Sequence, residues 1–383
     1  MTGKSKSGQK GQLGTRKADI PDEQGRHFSS IHIENFRCFK DFSIGSLNRV
    51  NLIGGKNNVG KTALLESIYL LLGATNASLI LRINAFRGVE SFEGDAATVS
   101  NTLWGTLFNN FDNHALITIK GELSTGKQIS LTLKQTVGAS TTLPLDTSPQ
   151  GKGSIADIGM PAQALKLHYT NVDGVQNVAI MQIDSSGINI PSLFIEPLFP
   201  GIFLSARRRP SSQENTARYG QLELTDSHYD LIPALKIIEP RLKRISTLVI
   251  GKSPMLYADI GLGRMLPLAA LGDGLGGLAS LLLAISSAPG GVVLIDEIEN
   301  GLHYSILVKV WQAVAEAARL YNTQVFATTH SWECIRAAHE AFKETKTYDF
   351  CYHRLQEVDG TIEAVAIDQN ALETTIDSGW EIR

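Results

Sequence analysis

The segment from Gly55 to Thr62 reads Gly-Lys-Asn-Asn-Val-Gly-Lys-Thr and fits the phosphate-binding pattern G-x-x-x-x-G-K-[ST]. Residues 49–53 before it are typical of a buried strand, and the apolar run 63–72 after it is typical of a helix. In that setting the glycines let several backbone N–H groups turn toward one phosphate, and the helix N-terminus adds partial positive charge. We therefore predict a nucleoside triphosphate site. The alternative interpretation is an ordinary glycine turn with a surface lysine.

Each side chain of this segment has an expected role. Lys61 is expected to neutralise the β- and γ-phosphates, and the hydroxyl of Thr62 is expected to ligate Mg²⁺. The backbone around the phosphates is assigned to Gly55, Asn57, Asn58 and Gly60. The cofactors that follow from these roles are ATP and Mg²⁺.

Two later strands each deliver a polar group that suits the same chemistry. Residues 291–295 form an apolar run that ends in Asp296 and Glu297, where α/β sheets place their ligands. Asp296 would orient Mg²⁺ through its water shell, and Glu297 would polarise the attacking water. His330 follows the strand-like run 323–329 and could donate a hydrogen bond to the γ-phosphate. The alternatives are a solvated acidic turn and a structural histidine.

A second glycine-rich turn, Gly272-Asp273-Gly274, lies directly before the apolar helix expected over 278–285. Such a helix start exposes backbone N–H groups that can bind an anion. Taken alone the turn is weak, because glycine turns before helices are common.

The composition is that of an ordinary globular protein of 383 residues with a formal net charge of −3. No apolar run approaches the roughly 18 residues that span a bilayer, and the N-terminus lacks an apolar secretion core, so we expect a cytoplasmic protein without a membrane partner. The three widely spaced cysteines (Cys38, Cys334 and Cys351) are interpreted as buried fillers. A charge near zero gives no global footprint for nucleic acid.

The patterning along the chain predicts an α/β fold. We expect a mixed sheet with helices on both faces, an antiparallel β-rich portion and a helical insertion. The predicted units are a disordered basic tail over 1–28, an N-terminal lobe over 29–200 with the phosphate loop and a β-meander, an insertion over 201–270, and a C-terminal lobe over 271–383. A long loop is expected over 138–161, a polar segment over 207–219 and helical structure from about 224 to 245.

Basic residues outside the site leave two interpretations open. Arg207-Arg208-Arg209 could contact phosphates, but a solvated loop is commoner. The tail carries lysines and arginines among Gly, Ser and Gln, so it could touch nucleic acid weakly or be a solvated leader.

Taken in order, these elements resemble the ABC-type ATPase heads of the SMC, RecF and OLD proteins. The phosphate loop looks like their Walker A, Gly272-Asp273-Gly274 occupies the place of the signature motif, Asp296-Glu297 that of Walker B, and His330 that of the switch histidine. The opening from Ile31 to Phe39 is similar to their "x-I-x-N-F-R-x-F" start. The runs 296–303 and 328–331 and the terminal Glu381-Ile382-Arg383 look most like compact prokaryotic OLD-like, AAA-type ATP-binding proteins without a Toprim nuclease.

The resemblance implies that two heads join around ATP, with the signature glycines of one head on the γ-phosphate bound by the other. Asp273 departs from the family's small polar residue, and a carboxylate beside a γ-phosphate must point away or meet a cation. No glutamine lies between Thr62 and Gln128, so the family's glutamine loop is not placed. No carboxylate cluster after His330 suits a two-metal nuclease, so the effector is expected to be another chain.

Four functional interpretations are weighed. The leading one is an ATP-driven switch, a homodimer or larger assembly that controls a separately encoded nuclease or toxin in anti-phage defence. The second is a RecF-like DNA-binding ATPase in repair or replication that uses Arg207-Arg208-Arg209 and the tail. A transporter subunit fits the ATP site but not the N-terminal opening, and a phosphate-loop protein with vestigial hydrolysis conflicts with the intact Lys61, Asp296, Glu297 and His330.

Overall fold

The computed structural model describes residues 27–89, 95–137, 163–184, 187–190 and 195–378. The predicted tail up to residue 26, the predicted loop over 138–161 and the terminal Glu381-Ile382-Arg383 lie outside the described residues. In chain order the described strands are β1 (Phe28–Phe36), β2 (Phe39–Ile44), β3 (Val50–Gly55), β4 (Ile117–Leu123), β5 (Gln128–Val137), β6 (Gln163–Thr170), β7 (Gln176–Asp184), β8 (Gly187–Asn189), β9 (Gly201–Leu204), β10 (Arg244–Ile250), β11 (Ser253–Asp259), β12 (Leu266–Pro267), β13 (Val292–Ile295), β14 (Gln324–Thr328), β15 (Phe350–Val358) and β16 (Thr361–Ile367).

The described helices lie between groups of these strands or after the last strand. They are α1 (Lys61–Leu72), α2 (Ser78–Phe86), α3 (Ala96–Leu103), α4 (Ser212–Leu224), α5 (Leu231–Leu235), α6 (Asp273–Ser286), α7 (Leu307–Leu320), α8 (Trp332–Lys343) and α9 (Gln369–Asp377). No helix of the described ranges is long and apolar enough to cross a membrane.

The central sheet has the strand order β16-β15-β3-β14-β13-β9. Strands β15, β3, β14, β13 and β9 are parallel to their neighbours, and β16 is an antiparallel edge strand. Every residue of β3, β13 and β14 is buried, which is typical of parallel strands that are covered on both faces. The predicted mixed sheet is confirmed, and the carboxyl ends of β3, β9, β13 and β14 meet at one edge.

Two hydrophobic cores lie on the two faces of this sheet. Because neighbouring strand residues point to opposite faces, Leu52 packs into a core with α6, α7 and α8, and Ile53 packs into a core with α1 and the antiparallel sheet. That antiparallel sheet has the order β2-β1-β4-β5-β6-β7-β8, and its half-buried strands alternate in the predicted way, for example Ile33 opposite both Phe42 and Ile119. The predicted antiparallel portion and helices on both faces are confirmed.

The segment between β9 and β13 differs from the prediction in its helix positions. The main helix is α4, over Ser212–Leu224, rather than a helix from about 224 to 245, and β10 already begins at Arg244. The helix starts early because Ser211 and Glu214 form a capping box: Ser211 Oγ accepts from Glu214 N at 3.1 Å, and Ser211 N donates to Glu214 Oε2 at 2.7 Å. The predicted polar segment over 207–219 is therefore partly helical.

The cysteine prediction is partly wrong. Cys334 and Cys351 are buried and free, as expected, but Cys38 is exposed. It follows β1 in the turn Arg37–Cys38, and it lines the same cavity as the phosphate loop. A thiol at the rim of the candidate site is thus not a core filler.

Candidate nucleotide site

The phosphate loop connects the end of β3 to the start of α1, and its glycines are required by packing. Gly60 has φ +91°, and a Cβ there would lie 2.7 Å from Cys38 Sγ and from the ring of Phe39. Gly55 has φ +136° and lies against the backbone of Leu355 on β15. Helix α1 begins after Gly60 without a side-chain cap, so its first N–H groups remain open to an anion. Asn57 and Asn58 line the same cavity, whose volume is about 1540 Å³.

Lys61 is 5% exposed and closes back onto the loop that it follows. Its Nζ donates to the carbonyl oxygens of Gly55 at 2.7 Å and Lys56 at 2.8 Å. Burial lowers the pKa of Lys61 to about 8, although Asp296, Glu297 and Glu299 favour the charged form. The ammonium group is therefore held in place without a full countercharge, which suits a site that binds an anion.

The hydroxyl of Thr62 and the carboxylate of Asp296 meet across the sheet edge. Thr62 Oγ1 donates to Asp296 Oδ1 at 3.1 Å, and Thr328 Oγ1 donates to the same oxygen at 2.7 Å. A hydroxyl and a half-exposed carboxylate are the hard oxygen ligands that Mg²⁺ accepts, so these residues fit the predicted metal role. The sequence separates Thr62 from Asp296 by more than half of the chain, yet the strands before them, β3 and β13, end at the same sheet edge and bring them together.

Glu297 and His330 form the second predicted pair. His330 Nε2 lies 3.3 Å from Glu297 Oε1, and both side chains are about 40% exposed. Glu297 has φ +52°, an uncommon conformation for a residue other than glycine, and its N–H donates to Thr328 Oγ1 at 2.8 Å. The turn thus aims the carboxylate into the cavity that contains Lys61 and Thr62. A carboxylate beside an imidazole can orient and deprotonate a water molecule.

Glu299 binds the two residues that follow β14, Thr329 and His330, and this role was not predicted from the sequence. Its Oε1 accepts from Thr329 Oγ1 at 2.8 Å and from the backbone N–H of His330 at 2.9 Å. The start of α8 is thereby tied to the turn after β13. The sequence did offer a signal. Asp296 and Glu297 were assigned to Mg²⁺ and to the attacking water, so the third carboxylate of the same turn, Glu299, had no assigned role.

A buried cluster of Arg37, Glu66 and Arg87 was also missed. Glu66 on α1 is fully buried, and its carboxylate lies 2.6 Å from Arg37 Nε and 2.7 Å from Arg87 Nε. The sequence carried a signal, because one glutamate in the otherwise apolar run 63–72 needs a cationic partner when it is buried. The cluster fixes the loop after β1 and the end of α2 to the helix that starts at the phosphate loop.

Two of the predicted signature residues line an adjoining cavity rather than the one that contains Lys61. Gly272 and Asp273 line a cavity of about 220 Å³, which shares Asp296 and Glu297 with the larger cavity, and Gly274 lines neither of the two. Asp273 Oδ1 lies 3.2 Å from Arg209 Nη1, so the carboxylate meets a cation within its own chain. A Cβ on Gly301 would lie 2.5 Å from Arg209 Nη2, so the guanidinium also lies against the turn after β13.

The three arginines after β9, residues 207–209, have different surroundings. Arg207 lines the nucleotide cavity and donates to the carbonyl oxygen of Arg87 at 3.2 Å. Arg209 pairs with Asp273 as described, and Arg208 is exposed. The triplet is therefore not one continuous basic patch.

The fold and these contacts define the class of fold, which is the α/β fold of P-loop ATPases with a mixed sheet and an antiparallel sheet. Comparison with known proteins agrees. Residues 27–172 match the family described as "AAA ATPase domain", and residues 191–335 match the family described as "AAA domain, putative AbiEii toxin, Type IV TA system".

The chain is also similar to individual proteins. The chain is similar to an "ATP/GTP phosphatase" of Helicobacter pylori, with 25% identity over 340 residues, 82% of this chain and 88% of the relative. It is similar over 96 residues to the DNA replication and repair protein RecF of Ligilactobacillus salivarius, with 32% identity over 25% of this chain and 24% of the relative. An SMC head bound to the C-winged helix domain of ScpA has a TM-score of 0.46 at 12% identity, over 92% of this chain and 99% of that chain.

Proposed function

We propose that this chain binds ATP with Mg²⁺, hydrolyses it, and uses the cycle to join and release copies of itself. The observation that supports this most strongly is the convergence of Lys61, Thr62, Asp296, Glu297 and His330 on one cavity. Lys61 and the open start of α1 bind the phosphates, and Thr62 and Asp296 hold Mg²⁺, which neutralises phosphate charge when bound. Glu297 takes the proton of the attacking water, and His330 orients Glu297 and the γ-phosphate.

The second half of the site comes, in this proposal, from another copy of the chain. Gly272, Asp273 and Gly274 at the start of α6 would contact the γ-phosphate held by the partner. The ion pair of Asp273 with Arg209 supports this role, because it removes the repulsion that an unpaired carboxylate would exert on phosphate. The assembly is a homodimer or a higher oligomer of this chain in the cytoplasm.

We further propose that the assembly controls a separate effector, a nuclease or toxin, in anti-phage defence, as in OLD-like proteins. The description of the family matched by residues 191–335 names a putative toxin and a toxin–antitoxin system, which supports a link to systems of that kind. The second candidate is a DNA-binding ATPase in repair or replication, which the similarity to RecF favours. Removing Arg208 separates the two, since salt-sensitive DNA affinity that depends on it supports the second.

The test of the proposal is the pair Glu297→Gln and Lys61→Ala. Without the carboxylate base, Glu297→Gln is expected to bind ATP, to lose turnover by about 10²- to 10⁴-fold, and to remain in an assembly whose mass rises with Mg²⁺-ATP. Lys61→Ala is expected to lose ATP binding. Phosphate release and light scattering on a sizing column measure both effects.

The matched control is Glu363→Gln, an exposed glutamate on β16 outside the cavity, which should behave as the parent does. Hydrolysis by Glu297→Gln at the parent rate would remove Glu297 from its role. An unchanged mass in the presence of bound ATP would refute the joining of copies by nucleotide.

A further inference from the structure

The lining of the nucleotide cavity includes a short segment that the phosphate-binding motifs do not contain. Residues 105–111 form two short 3₁₀ turns between α3 and β4. Arg37 N donates to the carbonyl oxygen of Leu107 at 2.7 Å, and Asn109 Nδ2 donates to the carbonyl oxygen of Arg37 at 2.7 Å. The segment is therefore fixed to the same arginine that pairs with buried Glu66.

The backbone of this segment is left-handed at two successive residues. Asn110 has φ +50° and Phe111 has φ +59°, and both line the nucleotide cavity. Left-handed backbone is costly for a bulky side chain, and glycine would adopt it freely. Strain that the surrounding contacts enforce is concentrated at functional sites, so the presence of phenylalanine here calls for a use of its ring.

The ring of Phe111 is the most exposed aromatic ring among the described residues that line this cavity. Phe108 and Phe203 also line it but are only 2% and 8% exposed, and Phe86 packs edge-on against Phe203 with ring centroids 5.1 Å apart. Phe111 is 75% exposed. An exposed apolar ring beside a cavity that is rich in cations and carboxylates can stack on the base of a nucleotide, whereas it has no favourable contact to offer the charged phosphates.

We propose that Phe111 is the platform on which the base of the bound nucleoside triphosphate stacks. This inference rests on the proposed nucleotide binding and adds the position of the base to it. A phenyl ring has no hydrogen-bonding group, so it holds adenine and guanine alike by their π-faces. The ring therefore contributes affinity for purine nucleotides in general and none for the triphosphate itself.

The experiment compares ligands with and without a base on the full chain carrying Glu297→Gln, by calorimetry with ATP, GTP and inorganic tripolyphosphate. Adding Phe111→Ala is expected to weaken ATP and GTP binding about five- to hundredfold, because stacking on one aromatic ring is lost. Tripolyphosphate affinity is expected to change less than twofold. Phe111→Trp should restore ATP affinity, and Tyr229→Ala, which removes another exposed aromatic ring from outside the cavity, should leave all three unchanged.

A glycine variant separates a binding role from a structural one. Phe111→Gly relieves the strained backbone, so its melting temperature should equal or exceed that of the parent while its ATP affinity falls as in Phe111→Ala. Equal ATP affinity for Phe111→Ala and the parent would overturn the platform and leave the proposed function intact. A parallel loss of tripolyphosphate affinity would overturn it too, by showing that the ring supports the phosphate loop. Failure of the parent to bind either ligand would instead refute the proposed function.

Discussion

The molecule has two glycine-rich helix starts, at α1 and at α6, and they differ in what surrounds them. At α1 the chain itself encloses the glycines: Gly60 lies against Cys38 and Phe39, and Gly55 lies against β15. At α6 no described atom lies within 4 Å of a Cβ added to Gly272 or Gly276. Glycine costs about 1 kcal/mol relative to alanine inside a helix, and no packing contact of the described residues requires glycine at position 276.

This difference separates a site that one chain completes from a surface that one chain leaves open. The phosphate loop has its cations, carboxylates and packing partners within the described fold. The start of α6 has one partner for Asp273, Arg209, and otherwise presents small residues. Small residues without internal contacts permit close approach by another molecule, which agrees with the proposed contact between copies.

The largest expected effect is that of Gly60→Ala. Alanine at φ +91° with contacts at 2.7 Å is expected to lower the free energy of unfolding by about 2–5 kcal/mol, from backbone strain and overpacking together. Chemical denaturation of the empty protein measures this. Gly88→Ala is the matched control, because Gly88 has φ +86° but no described atom within 4 Å, so only the strain remains. Equal losses for the two variants would show that the phosphate loop is not tightly enclosed.

An intermediate effect is expected from pH at Lys61. Its pKa is lowered to about 8 in the empty protein and rises when phosphate binds, so ATP affinity should fall by up to about tenfold per pH unit above pH 8, with proton uptake. The stability of the empty protein should change in the opposite direction, increasing between pH 8 and 10.5 as the buried ammonium loses its charge. Calorimetry and denaturation over pH 7–10 measure both slopes.

The control for this pH dependence is Lys56→Gln, which removes an exposed lysine of the same loop and should retain the slope in ATP affinity. A flat affinity between pH 7 and 9.5 would contradict the idea that an enclosed lysine is the main phosphate ligand.

The smallest expected effect on stability is that of Gly276→Ala, and it sharpens the comparison most. The empty chain should gain about 0.5–1 kcal/mol, because alanine is the better helix former and finds open space. The added methyl group should nevertheless weaken ATP-dependent assembly in light scattering. Gly220→Ala in α4 offers the same gain in open space away from α6 and should leave assembly unchanged. Normal assembly by Gly276→Ala would contradict an interface at this helix start.

The sequence was sufficient where local patterns carry the physics. The apolar runs before Asp296 and His330 predicted buried parallel strands that end at one edge of the sheet. Glu297 and His330 lie 3.3 Å apart at that edge. A continuous apolar run identifies such a strand, because a strand that is covered on both faces of the sheet exposes no side chain to water. The α/β class followed from the same rhythm.

It was insufficient where the partner lies far along the chain or the apolar pattern is weak. Helix α4 buries only Thr216, Tyr219 and Leu222, so the helix was placed too late although its capping box was readable. The cluster around Glu66 joins three separate elements, and the segment that contains Phe111 is hydrogen-bonded to the distant Arg37. Neither arrangement has a local signature.

The order of strands in the central sheet has a consequence for synthesis. The neighbours of β3 are β14 and β15, and β14 begins about 270 residues after β3 ends, which at roughly 5–20 residues per second takes the ribosome tens of seconds. Throughout that time β3, which precedes the phosphate loop, lacks both of its neighbours in the central sheet. The strands β4 to β8 of the antiparallel sheet, in contrast, pair with strands that have already been synthesised. If the chain binds nucleotide as proposed, the nucleotide cannot assist folding until synthesis is nearly complete. A stalled or truncated product without β14 and β15 is therefore expected not to bind ATP.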